Sequence, residues 1–293
     1  MKIVELLEND PGLKAGERYA GILGASPSKG ARSPLLWNAA FQDFGRPERM
    51  VPMDVLPEKL GQVLETLAGD TDFIGGAVTM PYKESIAAWL GSHRLSPQAL
   101  KIGAVNCLYR NDAGELCGTN TDGEAALADI KASIPDLRGV DTLLIGPGGA
   151  GKAVAAFLAD AGASLTIVSR SPETAKDFCS GIGAKSATNA DIGALIPASS
   201  LIVNCTPVGF ANGVASESPI AAADLDQVRP GSLVFDIIYD PLKTPLLTMA
   251  EKNGLEIKNG LTMNLLQAVL GFSKATRIAD LDRISASMKK AAG

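Results

Sequence analysis

Aromatic residues make up only 5% of this 293-residue chain, and it holds a single histidine and four cysteines. Each scarcity closes off a class of chemistry. Histidine-based triads and zinc sites need partners that His93, alone in the polar stretch Gly91-Ser92-His93-Arg94, does not have. Cys107, Cys117, Cys179 and Cys205 show no Cys-x-x-Cys spacing and read as buried free thiols, so neither a metal nor a disulfide framework is expected. No apolar run approaches the roughly 20 residues that span a bilayer, and residues 1–8 lack the basic-then-apolar order of a secretory signal. A formal net charge of −5 without a dense Lys/Arg stripe argues against a nucleic-acid partner. The expectation is a cytoplasmic protein with no membrane and no nucleic acid in its work.

What is abundant is small and apolar. Hydrophobic residues account for 46% of the chain, charged residues for 20%, and there are 31 glycines, the balance of an α/β protein. The length suits two domains, each with its own core. Short apolar runs at 19–25, 50–54, 73–79 and 105–109 alternate with helix-like stretches at 34–44 and 57–68, which predicts a mostly parallel sheet covered by helices. A helix over 123–134 leads to the turn-rich joint 135–139, and a second alternation follows, with strands at 142–145, 165–168, 201–204, 233–236 and 255–258. The last stretches, 263–272 and 278–291, have helical spacing. The predicted fold is α/β with two domains: a substrate-binding and catalytic domain of residues 1–122 with 261–293, and a Rossmann-type dinucleotide domain of residues 123–260.

Two polar signatures stand upstream of that second domain, Val78-Thr79-Met80-Pro81-Tyr82-Lys83 and Gly118-Thr119-Asn120-Thr121-Asp122-Gly123. Lys83 follows a buried strand, where open α/β sheets place ligand sites, and Asp122 stands at the corner where an extended segment turns into a helix. A Lys and an Asp brought together across a cleft hold one proton between them. That is what oxidising or reducing a carbinol requires besides a hydride acceptor.

The acceptor is announced by a glycine loop after the strand ending at Ile145, in which Gly146, Gly148 and Gly151 fit G-x-G-x-x-G and Gly149 and Ala150 lie between them. Tight turning, approach of backbone to pyrophosphate and close helix packing each require a missing side chain. A Walker loop is excluded, because no Ser or Thr follows Lys152. About twenty residues on, where an NAD-selective chain places a carboxylate, this one has Ser169-Arg170-Ser171. A guanidinium binds a ribose phosphate by paired, charge-assisted hydrogen bonds, so NADP(H) is favoured over NAD(H).

In this order the motifs resemble those of the shikimate dehydrogenase family, which includes quinate dehydrogenases and related paralogues. The resemblance runs from Gly21 to Phe272 and rests on Arg32-Ser33-Pro34 with Asn38, the two signatures above, Ala104-Val105-Asn106, the glycine loop, residues 203–209, residues 236–241, and Gly260-Leu261 through Gln267. It implies an NADP-dependent dehydrogenase interconverting shikimate and 3-dehydroshikimate. Lys83 and Asp122 would be the catalytic pair, and Ser33, Thr79, Asn106, Tyr239 and Gln267 would hold a small cyclic polyhydroxy carboxylic acid. Thr206 and Gly260 would stand beside the dinucleotide, and the domains would close over the substrate, with Gly118, Gly123 and Gly260 as hinge candidates. A homodimer is a candidate assembly.

Two positions depart from the family pattern. Members carry Ser-x-Ser-Pro, two hydroxyls that clasp the substrate carboxylate; here the first hydroxyl position is Ala31 and the preceding segment carries one extra residue. Trp37 stands where His is common. The altered clasp keeps quinate or an amino-substituted analogue open as the substrate, and a nucleotide-binding regulatory paralogue with little turnover is the alternative of a different class.

Overall fold

The computed structural model describes residues 3–211 and 214–292, so Met1 and Lys2 of the amino-terminal stretch read above lie outside it. The chain divides into two compact units, Met1–Thr121 with Leu265–Gly293, and Asp122–Asn264.

The first unit is built on β1 (Tyr19–Gly24), β2 (Arg49–Asp54), β3 (Phe73–Val78), β4 (Cys107–Arg110) and β5 (Leu116–Thr119), in the order β2-β1-β3-β4-β5. β1 pairs parallel with β2 and β3, and β4 runs antiparallel to both of its neighbours. Every residue of β1 and β3 is buried, because helices cover both faces. Successive side chains of a strand point to opposite faces, and two apolar clusters result. Leu23, Met53, Leu64, Phe73, Val78 and Leu108 lie in one. Ile22, Trp37, Phe41, Ile74, Phe272 and Met288 lie in the other. In the second cluster the Trp37 ring stands edge-on to Phe272 at 5.3 Å, and its buried indole N–H has no acceptor.

β3 slips one residue against β1 between Tyr19 and Ala20, and two glycines absorb the irregularity. Gly75 and Gly76 have φ of 125° and 153°; a Cβ on the first would overlap the Leu108 carbonyl oxygen, and on the second that of Gly21. The sequence pattern reveals the strand but not this bulge, which depends on contacts with chains before and after it. The strand expected at 105–109 begins at Cys107, since Val105 and Asn106 are drawn into loop hydrogen bonds with Lys83 and Thr119.

Arg110 ends β4 and closes the far end of this unit. Its five N–H groups donate to the carbonyls of Leu67, Ala68, Asp70, Phe73 and Gly114, which caps the helix Leu60–Gly69 and ties it to β3. A cavity of about 210 Å³ beside it is lined by Arg18, Arg46 and Arg277 as well. Arg18 and Arg46 are paired with Glu48, and Arg277 with Asp112.

The second unit has six parallel strands, β6 (Asp141–Ile145), β7 (Ser164–Ser169), β8 (Lys185–Thr188), β9 (Leu201–Asn204), β10 (Leu233–Asp236) and β11 (Glu256–Asn259), in the order β11-β10-β9-β6-β7-β8. This is the doubly wound arrangement, with its switch point between β6 and β9. The glycine loop follows β6 there. β9 and β10 fall on the expected residues, whereas β11 lies one residue later than expected, and β8, short and polar at the sheet edge, gives no apolar signal. Among the described residues no helix is long and apolar enough to cross a membrane.

Lysine at position 110 would keep the charge but lose the planar fork and most of its five bonds. Arg110→Lys is expected to lower the unfolding free energy by about 3 kcal/mol, read as a shift in the urea midpoint with an unchanged slope.

Candidate active site

In the first unit, the segments that follow the carboxyl ends of β1 and β3 lead to Ser33, Thr79 and Lys83 among the expected site residues. Gly24 is followed by a single turn of helix, Pro27–Lys29, and by Gly30 with φ of 131°. The turn is fastened by the carboxylate of Asp54, at the end of β2, which accepts from Ser28 N at 2.9 Å and Ser28 Oγ at 2.5 Å. Asn9 Oδ1 in turn accepts from Asp54 N at 2.8 Å. Ala31 N donates to Pro27 O, and Ser33, buried, opens the helix Ser33–Asp43. The Ser28–Asp54 anchor gave no signal in the sequence, since its parts are 26 residues apart and neither belongs to a recognisable motif.

The second loop follows β3. Thr79 N donates to Leu23 O at 2.8 Å, and a Cβ on Gly24 would overlap the Thr79 methyl, so β1 and this loop are closely fitted. Tyr82 is buried with its hydroxyl on Val55 O at 2.5 Å, which leaves Lys83, half-buried, to begin the helix Lys83–Leu90. The Lys83 carbonyl accepts from Val105 N, joining this loop to the one that bears Asn106.

Asn106 is 2% exposed and binds at both ends. Its Oδ1 accepts from Thr121 N at 2.8 Å, and its Nδ2 donates to Thr121 Oγ1 at 3.0 Å and to Gln267 Oε1 at 3.5 Å. Thr121 Oγ1 reaches the Gln267 carbonyl at 3.1 Å. Asn106 and Gln267, 161 residues apart, are thus brought together, with Thr121 between them. Thr121 was legible only as part of its motif; its bracing role depends on this pairing. The next residue, Asp122, is 4% exposed and begins the helix Asp122–Lys131 of the second unit.

In the second unit the glycine loop has the geometry that its spacing predicts. Gly146 takes φ of 95°, closed to most side chains, and Gly148 caps the helix Gly149–Asp160 with open space where a Cβ would stand. A Cβ on Gly151 would overlap the Gly146 carbonyl oxygen. Backbone N–H groups at the start of that helix, from Gly149, Ala150 and Gly151, have no partner in the preceding turn, which is the chemistry of a pyrophosphate cradle. At the end of β7, Ser169 Oγ accepts from Ser171 N at 3.1 Å, and Arg170 and Ser171 are exposed. These residues fit a dinucleotide carrying a ribose phosphate.

Along the same sheet edge, Asn204 Oδ1 accepts from Thr206 N at 2.9 Å and Thr206 Oγ1 at 2.7 Å, so the Thr206 hydroxyl donates inward and its methyl lies against Gly146. Gly260 N donates to Ile238 O, and a Cβ there would overlap the Ile237 carbonyl oxygen. Tyr239 is half-buried, edge-on to Phe210 at 6.5 Å. All four cysteines are free thiols, and among the described residues no three His, Cys, Asp or Glu side chains gather as a metal site.

A family model described as the shikimate dehydrogenase substrate binding domain matches residues 23–108. The NADP(+) shikimate dehydrogenase of Acidiphilium cryptum is 36% identical over 268 residues, covering 89% of this chain and 91% of its own. That of Carboxydothermus hydrogenoformans is 35% identical over 284 residues, covering 94% and 96%. Among solved structures, the shikimate 5-dehydrogenase of Thermus thermophilus in complex with NADP(H) and shikimate superposes with a TM-score of 0.79 at 30% identity, covering 93% of this chain and 99% of that one. Identity of this extent across both units, together with the glycine loop and the Asn106 bracket, makes the chain a member of the shikimate dehydrogenase family, oxidoreductases acting on a CH–OH group.

Proposed function

We propose that this protein is an NADP-dependent dehydrogenase that interconverts shikimate and 3-dehydroshikimate. The observation that carries the reading is the conjunction of a dinucleotide cradle at Gly146–Gly151 with the Asn106–Thr121–Gln267 bracket in a chain about a third identical to NADP(+) shikimate dehydrogenases. The first unit takes the ring acid, in keeping with the family model that covers 23–108, and the second takes the dinucleotide.

Bound NADP+ supplies the hydride acceptor. Lys83 and Asp122 manage the proton that leaves the ring hydroxyl as the carbonyl forms, a task suited to an ammonium and a carboxylate that can exchange one proton. Ser33, Thr79, Asn106, Gln267 and Tyr239 meet the carboxylate and the remaining hydroxyls. Neutral donor-acceptor side chains suit a polyol acid, because each substrate hydroxyl left unpaired in a closed site costs binding. The bracket holds the Asn106 and Gln267 side chains in one orientation relative to each other. Arg170, flanked by Ser169 and Ser171, takes the ribose phosphate and sets the preference for NADP over NAD.

Ala31 favours a second reading of the substrate. With no hydroxyl at that position, the carboxylate clasp is reduced to Ser33 plus whatever Lys29 or Arg32 adds, and quinate or an amino-substituted ring acid becomes the competing substrate. A matrix of ring acids against NAD+ and NADP+, followed by absorbance of the reduced nicotinamide, separates these. The highest kcat/KM is expected for shikimate with NADP+; turnover of quinate alone selects the second reading, and tight NADP(H) binding without turnover of any acid leaves only a nucleotide-binding protein.

In the same assay Lys83→Ala is expected to lower kcat by roughly 10²–10⁴-fold with a smaller change in KM, the signature of a group acting in the transition state. An unchanged kcat removes Lys83 from the chemistry. Ala31→Ser restores the second clasp hydroxyl and is expected to lower KM for shikimate by roughly tenfold, the worth of one hydrogen bond; an unmoved KM means that Lys29 or Arg32 already does that work or that another acid is meant.

A further inference from the structure

The carboxyl edge of the second sheet holds a carboxylate that the reaction does not use. Asp236 ends β10, is 0% exposed, and accepts three hydrogen bonds, from Asn204 Nδ2 at 3.0 Å, Ile238 N at 3.1 Å and Thr244 Oγ1 at 2.7 Å. Asn204, equally buried at the end of the neighbouring β9, turns its own oxygen to the N–H and hydroxyl of Thr206. Thr206 closes the row against the turn after β6: a Cβ on Gly146 would stand 2.6 Å from its methyl and 3.1 Å from its nitrogen.

We propose that Asp236 is a positioning residue for the dinucleotide: by holding the Asn204 amide in one orientation it sets Thr206 against Gly146 and so fixes the glycine loop. The inference rests on the second unit being the NADP(H) site. The argument is one of donors and acceptors. An Asn side chain can face either way, but a carboxylate accepts only, so Asn204 must present Nδ2 to Asp236 and Oδ1 to Thr206. Asn204 Nδ2 and Ile238 N both reach Oδ1, while the Thr244 hydroxyl on Oδ2 can donate or accept. The row therefore requires an acceptor oxygen at this position, which an apolar side chain removes.

Ionisation is not free for the fold. Burial pushes Asp236 up to about 6, against the bonds from Thr244, Ile238 and Asn204 that lower it. A folded value above the ordinary carboxylate range means that the folded state takes up the proton more readily than the unfolded chain. Asp236 thus adds most stability below about pH 4, and that contribution is lost as the pH rises through about 6. No charge offsets this. On β11, Lys258 is paired with Asp129 and Glu256 is exposed. In the segment that follows β10 and in the helix Pro245–Lys252, Lys243 is paired with Glu251, and Asp240 and Lys252 are exposed. β9 bears no charged residue.

The test compares the full-length protein with Asp236→Leu, which removes the acceptor oxygen, measuring NADP+ affinity at pH 7.5 and backbone hydrogen exchange of the free protein. At pH 7.5 the variant is expected to bind NADP+ about tenfold more weakly, with faster exchange across 145–151 and 204–208. Should the variant not fold, Thr206→Val, which keeps the methyl and removes the donor to Asn204, is expected to show the same weakening and the same faster exchange. Unchanged affinity and exchange overturn the inference, as does weaker binding with no change of exchange at 145–151. If the wild type itself fails to bind NADP+, the dinucleotide reading falls, and the exchange of 145–151 alone decides whether Asp236 positions that loop.

Discussion

Buried amides at the ends of strands hold this molecule's working loops in place. A strand that begins or ends inside the protein leaves backbone groups and the adjoining loop without a ladder partner, and each unpaired polar atom there costs as much as a lost hydrogen bond. In both units the solution is an asparagine. Asn106, entering β4, pairs with Thr121 and Gln267. Asn204, ending β9, pairs with Asp236 and Thr206. Because an amide has a donor end and an acceptor end, each residue also dictates which atoms of its neighbours are left facing outward. The loops inherit their geometry from that choice, and the proposed ring-acid and dinucleotide chemistry would inherit it from the loops.

The sheets were legible in the sequence because their strands are short, apolar and buried on both faces. Runs such as 201–204 and 233–236 appear in the structure on the residues where they were expected. The glycine loop was legible for a different reason: each glycine answers a separate steric demand, and spacing alone encodes all three. What escaped was whatever depends on a partner distant in sequence. β8 is polar and exposed and gains its identity only by pairing with β7. The bulge at Gly75 and Gly76 is imposed by β1 and β4. The Ser28–Asp54 anchor and the Arg110 cap join residues 26 to 43 positions apart with no periodicity to announce them. Motifs did disclose Asn106, Thr121, Asn204 and Asp236 as members of strings, but only their distances disclose that they work in two groups.

The two proposed binding regions, one in each unit, would make opposite electrostatic demands. A dinucleotide at the glycine loop would meet helix-end N–H groups, with Arg170 following β7. Asp236, at the end of β10, directs its carboxylate to internal donors. A ring acid in the first unit would call for many weak, directional contacts, for which hydroxyls and amides are suited.

The loop that precedes Ser33 is fastened to the end of β2 by the Asp54 carboxylate, while β3 has no tolerance for even a methyl group at Gly75 or Gly76. A residue added or a hydroxyl removed between Ser28 and Ser33 falls in a loop rather than in a tightly fitted strand, so the proposed ring-acid contacts there could change without a change in the sheet.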